Sequence, residues 1–225
     1  MKKVAENIFT WEYATKIMPG VHFPVNSSFI ELENNNLMVI SPGPFEQKLI
    51  QKIIARYSMV YCVAPNALHH EHLKRFNDFF PEIDIYGPAA LIRKQPWLSE
   101  KILGLDLLNE KIKGQILFFP IQGNLFLDET VFYCRQSKSL IVTDLIFNMR
   151  DPMPLGRKWI LSLVGAKNKI AQSKLVKKST KDKKAYTHSV KHLGELDCQR
   201  IIVGHGHLIE GVAEIKKALK AIGVV

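Results

Sequence analysis

Six consecutive apolar residues, Met59-Val60-Tyr61-Cys62-Val63-Ala64, constrain this chain more than any other feature. The run is as long as a strand and does not alternate, which is the pattern of a strand buried on both faces. The elements around it set the layers. Phe29–Glu33 and Leu37–Ile40 flank Asn34-Asn35-Asn36 and read as a β-hairpin. Glu46–Arg56 carries a helical stripe at Leu49, Ile50, Ile53 and Ile54. A helix over Ala67–Phe80, a short strand at Asp84–Gly87 and a helix from about Ala89 follow. Gln115–Ile121, Thr130–Cys134 and Ser139–Asp144 are spaced as an antiparallel meander. Arg200–Val203 is the last strand, with helices expected over Lys181–Leu196 and Val212–Ile222. Strands, then strand–helix alternation, then strands again point to a layered α/β domain of mixed sheets, taken as one domain over 1–225. Neither GxGxxG nor GxxxxGK[ST] occurs, so nucleotide binding has no motif behind it.

The net charge of +10 is uneven. Between Arg150 and His192 stand twelve Lys or Arg against Asp151 and Asp182, and the remainder of the chain is balanced. That is a neutral scaffold with a basic insertion at about 150–192, not a generally basic nucleic-acid binder. No apolar run reaches the roughly 18 residues of a membrane span, and the N-terminus lacks the apolar core of a signal peptide. Cys62, Cys134 and Cys198 form no CxxC, which favours reduced thiols and a cytoplasmic setting.

Four polar clusters follow the ends of expected strands: His69-His70-Glu71-His72, Gln122-Gly123-Asn124, Asp144 and Gly204-His205-Gly206-His207. Loops at strand ends can converge on one rim of a sheet. Imidazoles and carboxylates meeting there are what a divalent metal needs. Each cluster also has a plainer reading: the polar face of a helix start, a turn or cap residue, a tight turn between glycines.

Taken together, and in this order, the clusters resemble the metallo-β-lactamase superfamily, whose signature is HxHxDH after a strand, then a further His, an Asp and a final His in a GHG-like turn. A narrower resemblance, through Ala64-Pro65-Asn66, Glu129–Phe132 and Ser137–Asn148, is to a branch of that superfamily defined only as a domain of unknown function. The resemblance implies a four-layer αββα sandwich of two mixed β-sheets. It also implies where metal would sit. Laid on HxHxDH the chain reads Ala67-x-His69-x-Glu71-His72, and the next signature His falls at Gln122-Gly123-Asn124, where there is none. The site that takes the first two His keeps only His69 and Asp144. The other keeps Glu71, His72, Asp144 and His205, so the resemblance implies one incomplete site for zinc, iron or manganese, or none if the motif is a relic. His70 and His207 could substitute through a slipped register.

The expected function is a metal-dependent hydrolase that activates water on an anionic ester or phosphoester, with Asp144 as the catalytic and metal-holding residue and Asn66, His70, Gln122, Asn124 and His207 around the substrate. The alternative is a non-catalytic protein on the same fold, holding a small anionic ligand or a peripheral anionic membrane through the basic insertion. Trp159–Val164 beside lysines has the composition of an interfacial helix. Aromatics are too sparse in the insertion for base stacking on nucleic acid.

Overall fold

The computed structural model describes residues 1–18, 21–112, 114–149 and 169–224. One sheet has seven strands in chain order: β1 (Lys2–Ala5), β2 (Ile8–Met18), β3 (Val21–Leu32), β4 (Asn36–Ile40), β5 (Met59–Val63), β6 (Ile85–Tyr86) and β7 (Ile102–Leu103). It is antiparallel from β1 to β4 and parallel from β4 to β7. The other sheet uses β8 (Ile116–Pro120), β9 (Thr130–Cys134), β10 (Ser139–Met149), β11 (Lys169–Ala171), β12 (Arg200–Gly206) and β13 (Ile209–Glu210). Its order is β13-β12-β10-β9-β8, with β11 paired to β10. The β8–β9–β10 meander is antiparallel and β12 lies parallel to β10.

Side chains alternate across each central strand between two different cores. Met38, Ile40, Tyr61 and Val63 meet Phe132, Ile141 and Ile202 between the sheets. Leu37, Val39, Cys62 and Ala64 pack instead with Ile50 of α1 (Gln47–Ile54) and with Leu73 and Phe76 of α2 (Leu73–Phe79). On the far side, Leu140, Val142, Ile201 and Val203 pack with Tyr186 and Val190 of α5 (Lys183–Lys191) and with Ile215 and Ala218 of α6 (Val212–Ala221). The result is a four-layer αββα sandwich of two mixed sheets. Two shorter helices also stand among the described residues, α3 (Leu105–Lys111) and α4 (Lys174–Ser179).

Local chemistry explains where the expected elements hold and where they do not. Asn34 and Asn35 take φ of 59° and 56°, the left-handed conformation a tight turn between β3 and β4 requires. The helix expected over Ala67–Phe80 starts only at Leu73. The Asn66 side chain accepts from the backbone N–H of Leu68 and His69, and that turn competes with helix at residues 67–72. The segment from Ala89 forms two 3₁₀ turns, Ala89–Arg93 and Pro96–Leu98, instead of one helix.

Of the basic segment, residues 150–168 lie outside the described residues, and with them Trp159–Val164, Arg150, Arg157, Lys158 and Lys167. From Ile170 onward the segment contributes Ile170, Val176, Tyr186 and Val190 to the core, while Lys174, Lys177, Lys178, Lys181, Lys183, Lys184 and Lys191 stand exposed. Among the described residues no helix is long and apolar enough to cross a membrane.

Candidate metal centre

Three backbone devices bring His69, Asp144 and His205 to one rim. The Asn66 turn carries His69 off the end of β5. In β10, residues 143–146 stand opposite the single Gly204, between the pairs Val142–Val203 and Phe147–His205, and this bulge turns Asp144 toward the rim. The third device is the Gly204-His205-Gly206 turn. A Cβ at Gly204 would lie 2.9 Å from Thr143 Cα and 3.2 Å from His69 Cε1, so a side chain there would push on both other arms of the site. Gly206 has φ of 97°, a conformation that favours glycine.

His69 Nε2 lies 3.2 Å from His205 Nε2 and 3.4 Å from Asp144 Oδ2. His205 Nε2 is 3.3 Å from Asp144 Oδ1. Their outer atoms are occupied. His205 Nδ1 lies 2.9 Å from Pro24 O, which can only accept, so Nδ1 carries the proton and Nε2 of the neutral ring presents a lone pair inward. His69 Nδ1 meets the Ser41 hydroxyl at 2.8 Å. The Asn26 amide donates to Val203 O and Gly206 O, tying β3 to the His205 turn. Asn66 donates 2.8 Å to Asp144 Oδ2 and 2.9 Å to Thr143 Oγ1.

The arrangement leaves two acceptors face to face. One Nε2–H on His69 can serve His205 or Asp144, but the His205 lone pair still faces the Asp144 oxygen. An extra proton or a cation between them relieves that contact. A tetrahedral ion bound at about 2.0–2.1 Å holds its donors about 3.3–3.4 Å apart. The observed separations match those edges, and two imidazoles with one carboxylate suit zinc, iron or manganese. The residues present fit a divalent metal.

Behind Asp144 stands Glu129, 1% exposed, whose carboxylate accepts from the backbone N–H of Thr143 at 2.8 Å and of Asp144 at 3.0 Å. Burial pushes its pKa up to about 8, and the Asp144 charge adds to the effect. Burial would raise Asp144 as well, but facing His69 and His205 outweighs it and holds this carboxyl far below the usual range. Of the two buried acids, Asp144 carries the charge. The site opens into a cleft of about 250 Å³, walled by Tyr13, Phe23, Phe126, Phe147 and Leu175.

No family model matches the sequence, and neither does any curated protein. Solved structures do. The metallo-β-lactamase DIM-1, crystallised after exposure to ceftazidime, is 17% identical, with 98% of this chain and 94% of that one covered and a TM-score of 0.63. FIM-1 from Pseudomonas aeruginosa, in its mono-zinc form, is 14% identical over 98% and 93%, with a TM-score of 0.63. The flavodiiron core of Flv1 from Synechocystis is 14% identical over 97% of this chain and 59% of that one, at a TM-score of 0.62. This chain has the metallo-β-lactamase fold.

On that fold the structure groups the expected residues differently from the motif. His69 comes from one implied metal set, His205 from the other, and Asp144 from both. Among the described residues they are the one group of metal-binding side chains whose ligand atoms converge. Glu71 and His72 stand apart. Glu71 is exposed on the cleft wall and accepts from Thr15 Oγ1, and His72, 3.9 Å from Glu71, packs edge-on against Tyr13 at the start of α2. The turn at Asn66 ends before them, so they follow the helix and not the rim.

Among the expected substrate groups only His70 lines the cleft. Burial first, then the charge of Lys94, lowers its pKa. Asn66 is fully buried and committed to Asp144, Thr143 and the turn. Asn124 is spent fastening α4, through Val176 O, Ser179 Oγ and Thr180 Oγ1. Gln122 lies on a separate surface hollow with Lys181 and Asp182. His207 is exposed beyond the turn, with its N–H donating to Asn148 O. Sequence reasoning missed Ser41, Asn26, Glu129 and the Pro24 carbonyl. The first three are polar residues beside strand runs, a signal that was available; a backbone carbonyl leaves none.

Proposed function

We propose that this chain is a metal-dependent hydrolase with a single ion held by His69, Asp144 and His205, acting on an anionic ester or phosphoester. The observation that carries this reading is the facing pair of acceptors, His205 Nε2 and Asp144 Oδ1, inside a ring of donors spaced as the edges of a metal tetrahedron. The solution of FIM-1 in a mono-zinc form supports single occupancy on this fold.

A divalent ion here supplies Lewis acidity toward a carbonyl or phosphoryl oxygen and acidifies a neighbouring water. The chain does the rest. Pro24 O and Ser41 Oγ orient the two imidazoles, and Asn66 orients the carboxylate. Asp144, held far below the usual carboxylate range, is a weak proton acceptor and serves as the charged ligand. Glu71, although apart from the three ligands, is the other carboxylate among the cleft-lining residues, and this reading assigns it to take the proton from the attacking water.

Elemental analysis of tag-free protein tests the reading. Near-stoichiometric metal is expected in the parent and in His72→Ala, falling in His205→Ala and Asp144→Asn, with turnover of aryl esters or phosphodiesters that follows metal content. Glu71→Gln keeps the metal and loses turnover by about a hundredfold, the usual weight of a general base. A protein that stays metal-free after reconstitution refutes the hydrolase and leaves a binding protein whose exposed lysines over 174–191 meet an anionic ligand or membrane.

A further inference from the structure

We propose that His70 and Lys94 form a subsite on the cleft wall for an oxyanion group, the anionic part of the ester that the hydrolase reading assigns as substrate. The inference borrows from that reading only the word substrate. The binding it claims needs no metal.

Trp97 Nε1 can only donate, and it lies 2.9 Å from Gln95 Oε1, so the Gln95 amide has one orientation. Its Nε2 then faces His70 Nδ1 at 2.9 Å and donates to it. An accepting Nδ1 puts the ring proton of His70 on Nε2, and a second proton on Nδ1 would collide with the amide hydrogens. No hydrogen-bond acceptor for that Nε2–H appears among the described residues, and the ring lines the cleft next to His69. A fixed N–H donor therefore faces the space a ligand would fill.

Lys94 supplies the charge beside it. Its Nζ lies 5.0 Å from the centre of the Phe126 ring, which belongs to the same cleft wall. Arg93 Nη2 donates to Leu125 O at 3.5 Å and fastens the same loop. Two acids share the cleft: Asp144, whose charge acts on Lys94, and Glu71, which accepts from Thr15 Oγ1. An N–H donor of fixed orientation on the apolar wall and an exposed ammonium at its edge, beside Phe126, accept an oxyanion attached to an apolar body.

The test uses hexanesulfonate, an oxyanion that coordinates metals weakly, against hexanol, its neutral counterpart, by calorimetry on metal-loaded and chelator-treated protein. Hexanesulfonate is expected to bind both forms. Lys94→Met should weaken it about fivefold, Lys94→Arg should retain it within about twofold, and hexanol should respond to neither. Long-range ¹H–¹⁵N NMR should show His70 as the Nε2–H tautomer, and Gln95→Leu should mix the tautomers and weaken hexanesulfonate alone. Absence of hexanesulfonate binding, an equal loss for hexanol in Lys94→Met, or an Nδ1–H tautomer in the parent overturns the subsite. A protein that takes up no metal on reconstitution yet binds hexanesulfonate through Lys94 sinks the hydrolase and keeps the subsite.

Discussion

Glu129 is a carboxyl placed where a carboxyl is costly. Its hydrogen-bond partners are the backbone N–H groups of Thr143 and Asp144 and the Asn66 amide, and the neighbouring charge is negative. Its ordinary pKa of 4.5 becomes about 8 in the fold. The folded state therefore binds a proton that the unfolded chain releases between these values. Stability from this group is complete below about 4.5 and is lost as pH rises toward about 8. Urea unfolding in chelator should show stability falling across that window, with a shallower fall in Glu129→Gln. A metal ion offsets the Asp144 charge, so metal should also flatten the slope in the parent. Equal slopes for parent and Glu129→Gln would mean that Glu129 is ionised in the fold.

Among the elements, β10 and β12 decide whether a site exists. Their register breaks where Gly204 meets the Thr143 backbone, and the bulge in β10 is what aims Asp144 at the rim from a strand buried along its whole length. Gly204→Ala drives a methyl against main chain and against the His69 ring. Overpacking of this kind costs about 1–3 kcal/mol, and the displaced arms should bind metal less well. Unfolding curves and elemental analysis on this variant read both effects; a variant as stable as the parent would show that the close approach relaxes freely.

The same elements show what a sequence makes legible. Met59–Ala64 announces burial on two faces; the structure gives Tyr61–Ala64 one core on each side, while Met59 at the start of the run stands exposed. The Asn34-Asn35-Asn36 cluster announces the β3–β4 turn. His69–His72 is a single cluster on paper, yet the Asn66 turn sends His69 inward and α2 carries His72 to Tyr13. Apolar periodicity reports how a segment meets its neighbours. The fate of a polar cluster depends on side-chain-to-backbone bonds such as those of Asn66, which periodicity does not carry. The same holds for Asn124, whose three acceptors lie more than fifty residues away in α4 and just after it.

On the scale of the molecule, the candidate metal centre is a junction between the two sheets. His69 hangs from the end of β5 in one sheet, and Asp144 and His205 come from β10 and β12 in the other. The bonds that orient them cross the same divide, from Pro24 O to His205 and from Asn26 to Val203 and Gly206. An ion held by all three side chains binds only when both halves are folded and docked, so its binding energy adds to global stability instead of local order. At free metal about 100-fold above Kd the gain is about 2.7 kcal/mol. Calorimetric melting of the chelated protein should show Tm rising with added zinc or manganese as a single cooperative transition. His69→Ala should abolish that rise as fully as His205→Ala, although the two residues belong to different sheets. A rise that survives His69→Ala but not His205→Ala would place the ion within one sheet, and the metal would then stabilise that half alone.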